Sequence, residues 1–281
     1  MRPYAPDVRI PAALSEQWSH EPEWLASLPR LATECAEEWA LVLEAPVDNP
    51  NSLVVPAGDV VLKLNAPSHV DAEHEADALA QWNGRSAVRL VARDDERRAL
   101  LIERCVPGTR LWDANADEVT VIAELLPTLQ VDVDEASPIP LLADEADRWA
   151  DDVPRRYAAA GEPFERALLE AALDVYRTVD RSARLLVNQD LHGGNVLSAQ
   201  RQPWLVIDPK PLVGERELES SALLRNAEYV PRWLDALVEL GFARERARGW
   251  GVAHNLAWAW DERRGWLDGP VEEARRILSA K

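Results

Sequence analysis

The sequence predicts an α+β protein with a small mixed α/β part at its N-terminus and a larger, mainly helical part after it. Three observations predict this class: short Val- and Leu-rich runs alternate with helical segments over the first hundred residues, long segments with helical spacing follow, and the turn sequence Val106-Pro107-Gly108 lies between them. We therefore predict a first domain at residues 1–104, a second at 105–281, and a hinge near residues 103–108.

The first part is predicted to be a sheet with one or two helices. Strands are expected where Val and Leu runs are bounded by Pro, Asn and Gly, at Val42–Glu44, Leu53–Val55, Val60–Leu64 and Leu100–Glu103. Helices are expected at Pro29–Trp39 and Ser68–Asn83. The second could be capped at its start by Ser68 or Asp71 and ended by Gly84.

The second part carries apolar residues at helical spacing. Helices are predicted at Glu118–Leu129, Leu142–Ala160, Phe164–Ser182, Arg232–Leu240 and Ala243–Asp261. Two strand-like runs interrupt them, at Leu185–Asn188 and Trp204–Ile207. A mainly helical domain with a few short strands is therefore expected.

Composition excludes several classes of function. The chain has 281 residues with 49 acidic and 31 basic side chains, a net charge of −18, which argues against a nucleic-acid partner. No apolar run approaches the ~20 residues that span a bilayer, and the start has no signal-like apolar region, so we expect a cytoplasmic protein that does not bind membranes. Cys35 and Cys105 lie too far apart in sequence to indicate a disulfide framework or a zinc site.

Lysine is rare in this chain, since only Lys63, Lys210 and Lys281 among the 31 basic residues are lysines. An ammonium group is a compact point charge that suits a phosphate, whereas a guanidinium is a broad fork. The two internal lysines are therefore candidates for a specific role.

The strongest local signal is the segment Asn188-Gln189-Asp190-Leu191-His192-Gly193-Gly194-Asn195, followed after a further strand by Asp208-Pro209-Lys210. Phosphoryl transfer needs a carboxylate that orients the acceptor hydroxyl and takes its proton, and oxygen ligands that hold Mg²⁺. Asp190 suits the first role, and Asn195 with Asp208 suits the second. The two glycines are expected to permit a tight turn.

This motif resembles that of the aminoglycoside phosphotransferases, which are relatives of the protein kinases. The longer match, from Asn188 to Arg216, resembles the aminoglycoside/hydroxyurea antibiotic-resistance kinase family, whose members include streptomycin 6-kinases. The resemblance implies a protein-kinase-like bilobal fold and the use of ATP and Mg²⁺. It implies that Asp190 is the catalytic base, that Asn195 and Asp208 are the metal ligands, and that His192 braces the loop.

The resemblance also assigns the nucleotide-binding residues. Lys63 matches the strand lysine that contacts the α- and β-phosphates, and Glu75 matches its helix partner. Glu75 falls on one helix face with Leu79 and Trp82, so it can turn inward with them, and the less favoured alternatives are Glu73 and Asp77. The segment from Leu101 to Gly108 matches the hinge, where backbone groups around Glu103 to Cys105 would bind adenine.

Two departures from the family pattern bear on function. The phosphate-covering loop should precede Lys63, yet residues 47–52 contain no glycine, so backbone amides with the Asn51 or Ser52 side chains would have to hold the phosphates. Only 17 residues separate Asp190 from Asp208, which leaves no room for a long activation loop and favours a small-molecule acceptor over a protein.

The resemblance thus implies a kinase that phosphorylates a hydroxyl of a cationic aminoglycoside, streptomycin at its 6-position in the first place, without an obligate protein partner. Carboxylates could pair with the guanidinium groups of that acceptor. Candidates are Asp151, Asp152, Glu228, Asp261 and Glu262, with Trp258 and Trp260 beside the last two. Alternatives remain a kinase for another acceptor such as hydroxyurea or a metabolic sugar, a non-catalytic nucleotide- or antibiotic-binding protein, and a scaffold for a basic partner. Lys210 could approach a phosphate or neutralise Asp208.

Overall fold

The computed structural model describes residues 8–225 and 229–280. Within these residues the α-helices, numbered α1 to α10 in chain order, are Ala12–Gln17, Pro22–Glu38, Glu75–Trp82, Glu118–Leu129, Leu142–Ala159, Arg166–Arg177, Ser220–Leu224, Val230–Glu239, Arg244–Ala257 and Asp268–Ser279. The strands, β1 to β10, are Ser52–Ala57, Val60–Asn65, Leu90–Asp94, Ala99–Glu103, Leu185–Asn188, Val196–Ser198, Trp204–Val206, Pro211–Gly214, Trp260–Asp261 and Gly265–Trp266. No helix in these two ranges is both long enough and apolar enough to span a bilayer.

The chain forms two compact units. The first unit extends to Thr109 and also contains Leu197–Asp208, whereas the second contains Arg110–Val196 and the chain from Pro209 onwards. The first unit is built on strands and the second mainly on helices. The sequence pattern did not indicate that Leu197–Asp208 belongs with the first unit.

The first unit contains an antiparallel sheet in the order β1-β2-β4-β3. Strand β2 lies between β1 and β4, so Lys63 stands opposite Val54 on one side and Leu100 on the other. Lys63 therefore lies on an interior strand, with only 6% of its surface exposed. Helices α1 and α2 pack on this sheet through buried side chains that include Leu14, Trp18, Leu28, Cys35, Leu53 and Leu62.

Two predicted elements of the first unit were wrong, and one strand was missed. Residues 42–44 form no strand: the Glu44 amide donates to the Pro56 carbonyl at 2.8 Å, but Pro56 has no N–H with which to return a bond and continue a ladder. Strand β3 was missed because it is a half-exposed edge strand whose charged residues hide the alternation. Helix α2 begins at Pro22 rather than Pro29, which lies inside it although proline is more usual in a first turn.

Helix α3 is shorter than predicted and begins at Glu75. A 3₁₀ turn at Val70–Ala72 precedes it, and Asn83 ends it in the left-handed conformation. The predicted face is confirmed, since Glu75, Leu79 and Trp82 are each completely buried. Because they share its helix face, the apolar Leu79 and Trp82 thus bring the Glu75 carboxylate into the interior of the first unit.

The second unit has its core where α5, α6 and α9 meet. The rings of Trp149 and Tyr176 lie 5.8 Å apart between centroids, and Trp250 lies 6.4 Å from each of them. Glycines bring α9 close to its neighbours, because a Cβ at Gly249 would lie 2.8 Å from Val175 and one at Gly251 would lie 2.8 Å from Leu224. The five helices predicted for this unit are present, several with shorter ends.

Strands β5 and β8 form an antiparallel pair that carries the two halves of the motif. A Cβ at Gly214, in β8, would overlap the Leu142 side chain and lie 2.8 Å from its Cδ2 atom. Gly214 is therefore required for the approach of α5 to this pair of strands.

We expect Gly214→Ala to destabilise the protein by about 1–3 kcal/mol through overpacking. The matched control is Gly269→Ala in the first turn of α10, where a Cβ would have no atom within 4 Å. That variant should be neutral or slightly stabilising, because alanine is the better helix former. Equal unfolding free energies for the two variants in urea titrations would contradict the packing explanation.

Next to the end of β5, the carboxyl group of Glu219 is completely buried. Its Oε2 atom accepts a hydrogen bond from Gln130 Nε2 at 2.6 Å, and it also makes a hydrogen bond with the Asn188 backbone. Burial raises the pKa of Glu219 from 4.5 to about 8, against the opposing effect of these hydrogen bonds. Between these two pH values the folded state keeps a proton that the unfolded state has lost.

The stability of the protein should therefore fall as pH rises from about 4.5 to about 8 and then level off in respect of this group. Glu219→Gln removes the titrating proton, so its melting temperature relative to wild type should increase over the same interval. Thermal melts between pH 5 and pH 8 measure this difference, with the exposed Glu124→Gln as control. A difference that does not change with pH would contradict the buried-acid assignment.

Candidate active site

The structure brings together three of the predicted site residues in the first unit. Lys63 Nζ lies 2.8 and 2.7 Å from the two carboxylate oxygens of Glu75 and 2.6 Å from Asp208 Oδ1. Burial alone would lower the pKa of Lys63, but Asp208 and Glu75 outweigh it and hold the pKa above its ordinary value. Lys63 is therefore a buried ammonium ion between two carboxylates.

A short polar chain continues from this ionic cluster into β1. Asn65 Nδ2 donates to Glu75 Oε2 at 3.4 Å, and the Ser52 hydroxyl donates to Asn65 Oδ1 at 2.6 Å. Ser52 is itself buried, so its hydroxyl supports the cluster instead of being aimed at a phosphate. The neighbouring glycine-free loop is held by Asn49, whose Oδ1 accepts from the amides of Asn51 and Ser52 at 2.8 and 3.0 Å.

Asp208 reaches Lys63 from a left-handed backbone conformation, with φ of 52°. Among residues other than glycine, Asp and Asn adopt this region most readily, and such conformations often occur at functional sites. The preceding strand β7 forms a parallel bridge from Val206 to Ala87, in the segment that leads into β3. The backbone turn at Asp208 thus aims its carboxylate at the buried lysine.

The predicted hinge residues lie at the end of β4. The Glu103 side chain is not free, because Arg201 donates to both of its carboxylate oxygens at 2.8 Å. The Glu103 amide donates to the Arg89 carbonyl and the Arg104 amide to the Asp59 carbonyl, both at 2.9 Å. Burial raises the pKa of the Cys105 thiol to about 12, which makes it a poor nucleophile. Arg201, which the sequence analysis missed, stabilises the hinge strand.

In the second unit, Asp190 lies in the loop after β5 and is 8% exposed. Asn188, the last residue of β5, holds this loop, because its Oδ1 accepts from the amides of Asp190 at 3.1 Å and Lys210 at 3.0 Å. The Asn188 side chain therefore holds the start of the Asp190 loop next to the backbone of Lys210.

Asn195 is oriented by Asp190. Its Nδ2 donates to the Asp190 backbone carbonyl at 3.0 Å and lies 3.5 Å from Asp190 Oδ2. This assignment of the amide leaves Oδ1 as the atom available for a ligand. An oxygen is the donor that Mg²⁺ prefers, so the side chain has the orientation that a metal ligand needs.

The predicted tight turn is present as a 3₁₀ turn at Gly193–Asn195, and because neither glycine has a positive φ, the two glycines serve close packing and not backbone freedom. The Trp112 indole stacks on the His192 imidazole at 4.6 Å with 10° between the planes. A Cβ at Gly193 would lie 2.5 Å from Trp112, and one at Gly194 would lie 2.8 Å from both rings. Glu118 completes the arrangement by accepting from the Gly193 amide at 2.8 Å and from Trp112 Nε1 at 2.9 Å.

His192 braces the loop through its ring. Its Nδ1 accepts from the Gly194 amide at 3.0 Å, and its Nε2 lies 3.6 Å from Asp190 Oδ1. Burial lowers the pKa of His192, with the Asp190 carboxylate opposing this effect. These contacts fit the supporting role that the family resemblance implies.

Two cations that sequence reasoning did not place flank the Asp190 carboxylate. Lys210 Nζ lies 3.0 Å from Oδ2, and Arg225 Nη1 lies 3.3 Å from Oδ1. Both lie against the Trp258 indole, at 4.8 and 4.7 Å from its centroid. The scarcity of lysine had singled out Lys210 without deciding its partner, whereas no local pattern distinguished Arg225.

The acidic side chains proposed for an acceptor are partly engaged with arginines. Glu262 accepts from Arg156 at 3.0 Å and from Trp260 Nε1 at 3.1 Å, and Arg156 lies 5.4 Å from the Trp260 centroid. Asp152 makes an ion pair with Arg155. Glu228 lies outside the described residues. The role of these acids in binding an acceptor stays a prediction.

The predicted ligands fit Mg²⁺ by their donor chemistry. The described part of the chain contains no group of three His, Cys, Asp or Glu residues arranged for a metal. Magnesium at a nucleotide is usually bound by one or two carboxylates together with phosphate oxygens, so a dedicated protein cage is not required. Asp208 and Asn195 supply hard oxygen donors of this kind.

Comparison of the sequence with known proteins gives three informative matches. A streptomycin 6-kinase of Streptomyces glaucescens is 34% identical over 260 residues, covering 85% of this chain and 84% of the relative. A streptomycin 6-kinase of Streptomyces griseus is 30% identical, with 89% of each chain covered. A hydroxyurea phosphotransferase of Kitasatospora aureofaciens is 35% identical over 84% of this chain and 74% of the relative.

Solved structures share the fold at low sequence identity. The choline kinase LicA of Streptococcus pneumoniae has a TM-score of 0.59 at 12% identity, with 89% of this chain and 96% of that chain covered. A thermostable aminoglycoside phosphotransferase in ternary complex with ADP and hygromycin B has a TM-score of 0.55 at 13% identity, with 87% and 94% covered. These similarities show that the predicted protein-kinase-like fold is correct.

The sequence model of the aminoglycoside/hydroxyurea antibiotic resistance kinase family matches residues 43–238. This range includes every predicted catalytic, nucleotide-binding and metal-binding residue. With the relatives above at 30% identity or more over most of its length, the chain belongs to the aminoglycoside/hydroxyurea antibiotic resistance kinase family.

Proposed function

We propose that the protein transfers the γ-phosphate of Mg²⁺-bound ATP to a hydroxyl group of an aminoglycoside, with the 6-hydroxyl of streptomycin as the first candidate acceptor. The observation that carries the kinase assignment is the cluster in which the buried Lys63 and Glu75 meet the partly exposed Asp208. It joins an ammonium group to a carboxylate 145 residues away in the chain. An ammonium ion and a hard oxygen ligand side by side match the charge pattern of a metal-bound triphosphate.

Residues of the first unit bind the nucleotide in this proposal. The Lys63 ammonium pairs with the α- and β-phosphates while Glu75 holds it in place, and Asp208 contributes an oxygen to the metal. The adenine edge is bound by the backbone at the end of β4, through the Glu103 carbonyl and the Cys105 amide. Mg²⁺, when bound, supplies positive charge that neutralises the phosphate oxygens.

Residues of the second unit carry out the proton transfer. The Asp190 carboxylate orients the acceptor hydroxyl and takes its proton as the hydroxyl oxygen forms a bond to the γ-phosphorus. The bond between that phosphorus and the bridging oxygen breaks, and ADP leaves with the electron pair. Asn195, whose amide is held by Asp190, presents its Oδ1 to the metal.

The choice of acceptor depends mainly on the two streptomycin 6-kinase relatives. Charge near the base adds one constraint, since Lys210 and Arg225 already lie against Asp190. A neutral hydroxyl suits this position, whereas the cationic groups of an aminoglycoside would bind to carboxylates elsewhere. Hydroxyurea is the second candidate because a hydroxyurea phosphotransferase is 35% identical. As an ATP-dependent enzyme, the protein is proposed to act in the cytoplasm.

A coupled ADP-release assay with Mg²⁺ and ATP tests this function against streptomycin, hydroxyurea, other aminoglycosides and simple sugars. We expect turnover with streptomycin, and we expect Asp190→Asn to lower kcat by roughly 10²–10⁴-fold because it removes the proton acceptor. ATP affinity should change little, since Asp190 is not assigned to nucleotide binding. Asp235→Asn, which breaks a surface ion pair with Arg244, is the matched control and should keep normal turnover.

The outcomes separate the alternatives. Turnover with hydroxyurea or a sugar alone would retain the kinase and replace the acceptor. Binding of ATP without turnover on any acceptor would favour a non-catalytic nucleotide-binding protein. Normal turnover by Asp190→Asn would show that Asp190 is not the base.

We expect Asp208→Asn to raise the Mg²⁺ concentration needed for half-maximal activity, because a neutral amide binds the cation less strongly than a carboxylate. Mg²⁺ titrations at fixed ATP measure this, and calorimetric titration of ATP with and without Mg²⁺ gives a readout that does not depend on turnover. Asp95→Asn, at an exposed pair with Arg93, is the control in the same unit. An unchanged metal titration would exclude Asp208 as a ligand.

A further inference from the structure

Four side chains of the second unit form a closed hydrogen-bonded ring behind the catalytic carboxylate. Arg225 Nη1 donates to Asp190 Oδ1 at 3.3 Å, and Arg225 Nη2 lies 3.2 Å from His254 Nδ1. His254 Nε2 lies 3.2 Å from Gln189 Oε1. Gln189 precedes Asp190 in the chain, so the ring closes through one peptide bond.

The ring requires one particular form of His254. Arginine can only donate and a side-chain amide oxygen can only accept, so Nδ1 must be the acceptor and Nε2 must carry the hydrogen. Burial lowers the pKa of His254 well below its usual value, and the charges of Arg225 and Lys210 lower it further. The imidazole is therefore neutral at pH 7, which leaves Nδ1 able to accept.

The ring of side chains is held by packing on both sides. His254 is completely buried in α9, between the Trp258 indole at 4.5 Å and the Trp149 indole at 5.8 Å between centroids. Trp258 also covers the guanidinium of Arg225. Gly249 and Gly251 permit the close approach of α9 to its neighbours, so the helix that carries His254 has little freedom to shift.

We propose that His254 is a positioning residue for the transfer reaction, which as a neutral imidazole clamps Arg225 and Gln189 and thereby fixes the orientation of the Asp190 carboxylate. This inference rests on the proposed function, because it concerns the residue assigned as the base. His254 does not touch the reacting atoms. It acts through Arg225 on one oxygen of Asp190 and through Gln189 on the backbone that carries Asp190.

The test compares two substitutions that each remove a buried hydrogen bond from the same region. His254→Phe removes both of its hydrogen bonds and keeps an aromatic ring for Trp149 and Trp258. Tyr176→Phe removes the hydrogen bond of Tyr176 to the carbonyl of Ala253, the residue before His254. It removes none of the hydrogen bonds that join Asp190, Arg225, His254 and Gln189. Thermal melts and circular dichroism confirm that both variants are folded.

We expect His254→Phe to lower kcat by up to about 10²-fold, since small displacements of a catalytic group have costs of this size, while the KM for ATP changes little. Tyr176→Phe should lose stability and keep its kcat. His254→Gln should recover part of the kcat, because its amide can accept from Arg225 and donate to Gln189. A kcat for His254→Phe equal to that of Tyr176→Phe, or no recovery with Gln, would overturn the positioning role.

The wild-type enzyme separates this failure from failure of the proposed function. Wild-type turnover together with normal kcat in His254→Phe overturns the inference alone, whereas a wild type that is silent with every acceptor overturns both. Nitrogen-15 spectra of histidine-labelled protein add a readout that does not require activity. The signals lost in His254→Phe should be those of a neutral imidazole protonated at Nε2 at pH 7. An imidazolium or the opposite tautomer would contradict the ring of hydrogen bonds.

Discussion

Compensation of buried charge is the constraint on which both units depend. Water stabilises an ion far better than a protein interior does, so a buried ion persists only where opposite charges and hydrogen bonds replace the lost hydration. In the first unit this constraint binds Lys63 to Glu75 and Asp208, and it thereby ties a central strand, a helix and a distant loop together. In the second unit it places Lys210 and Arg225 around Asp190. The same ion pairs that compensate the buried charges also bring together the groups to which the proposed function assigns phosphoryl transfer.

Rigid surroundings give these charged groups their value, because a catalytic group contributes most when it is oriented before the substrate arrives. The loop of Asp190 is held from three directions: by the Asn188 side chain, by the stacked rings of Trp112 and His192, and by the His254 ring of hydrogen bonds. The two glycines of the loop permit the close approach of the tryptophan. Glycine is usually associated with flexibility, but here the absence of a side chain allows tight packing.

The success of sequence reasoning depended on the range of the interaction in question. Helix α4 and strand β5 were predicted with their correct bounds, because periodicity and nearby breakers are local signals. Glu75 was placed inward because Leu79 and Trp82 share its helix face, and the structure confirms that all three are buried. The strand predicted at residues 42–44 failed, since strand formation requires a partner that can continue the ladder. The edge strand Leu90–Asp94 was missed because half of its surface faces water and so shows no apolar run.

The sequence by itself was enough to predict the family, the kinase-like fold and which residues are candidates for the site. These predictions depend on one short motif and on local hydrophobic patterns, which are visible without the structure. Only the tertiary structure decided which groups surround those residues. Arg225 and His254 lie 35 and 64 positions after Asp190 in the chain, at no spacing that a helix or strand would indicate. Folding brings them to the same carboxylate because buried donors and acceptors must find partners wherever the packing of α9 places them. Local spacing therefore predicts which residues carry the chemistry, and packing between distant segments sets their orientation and charge.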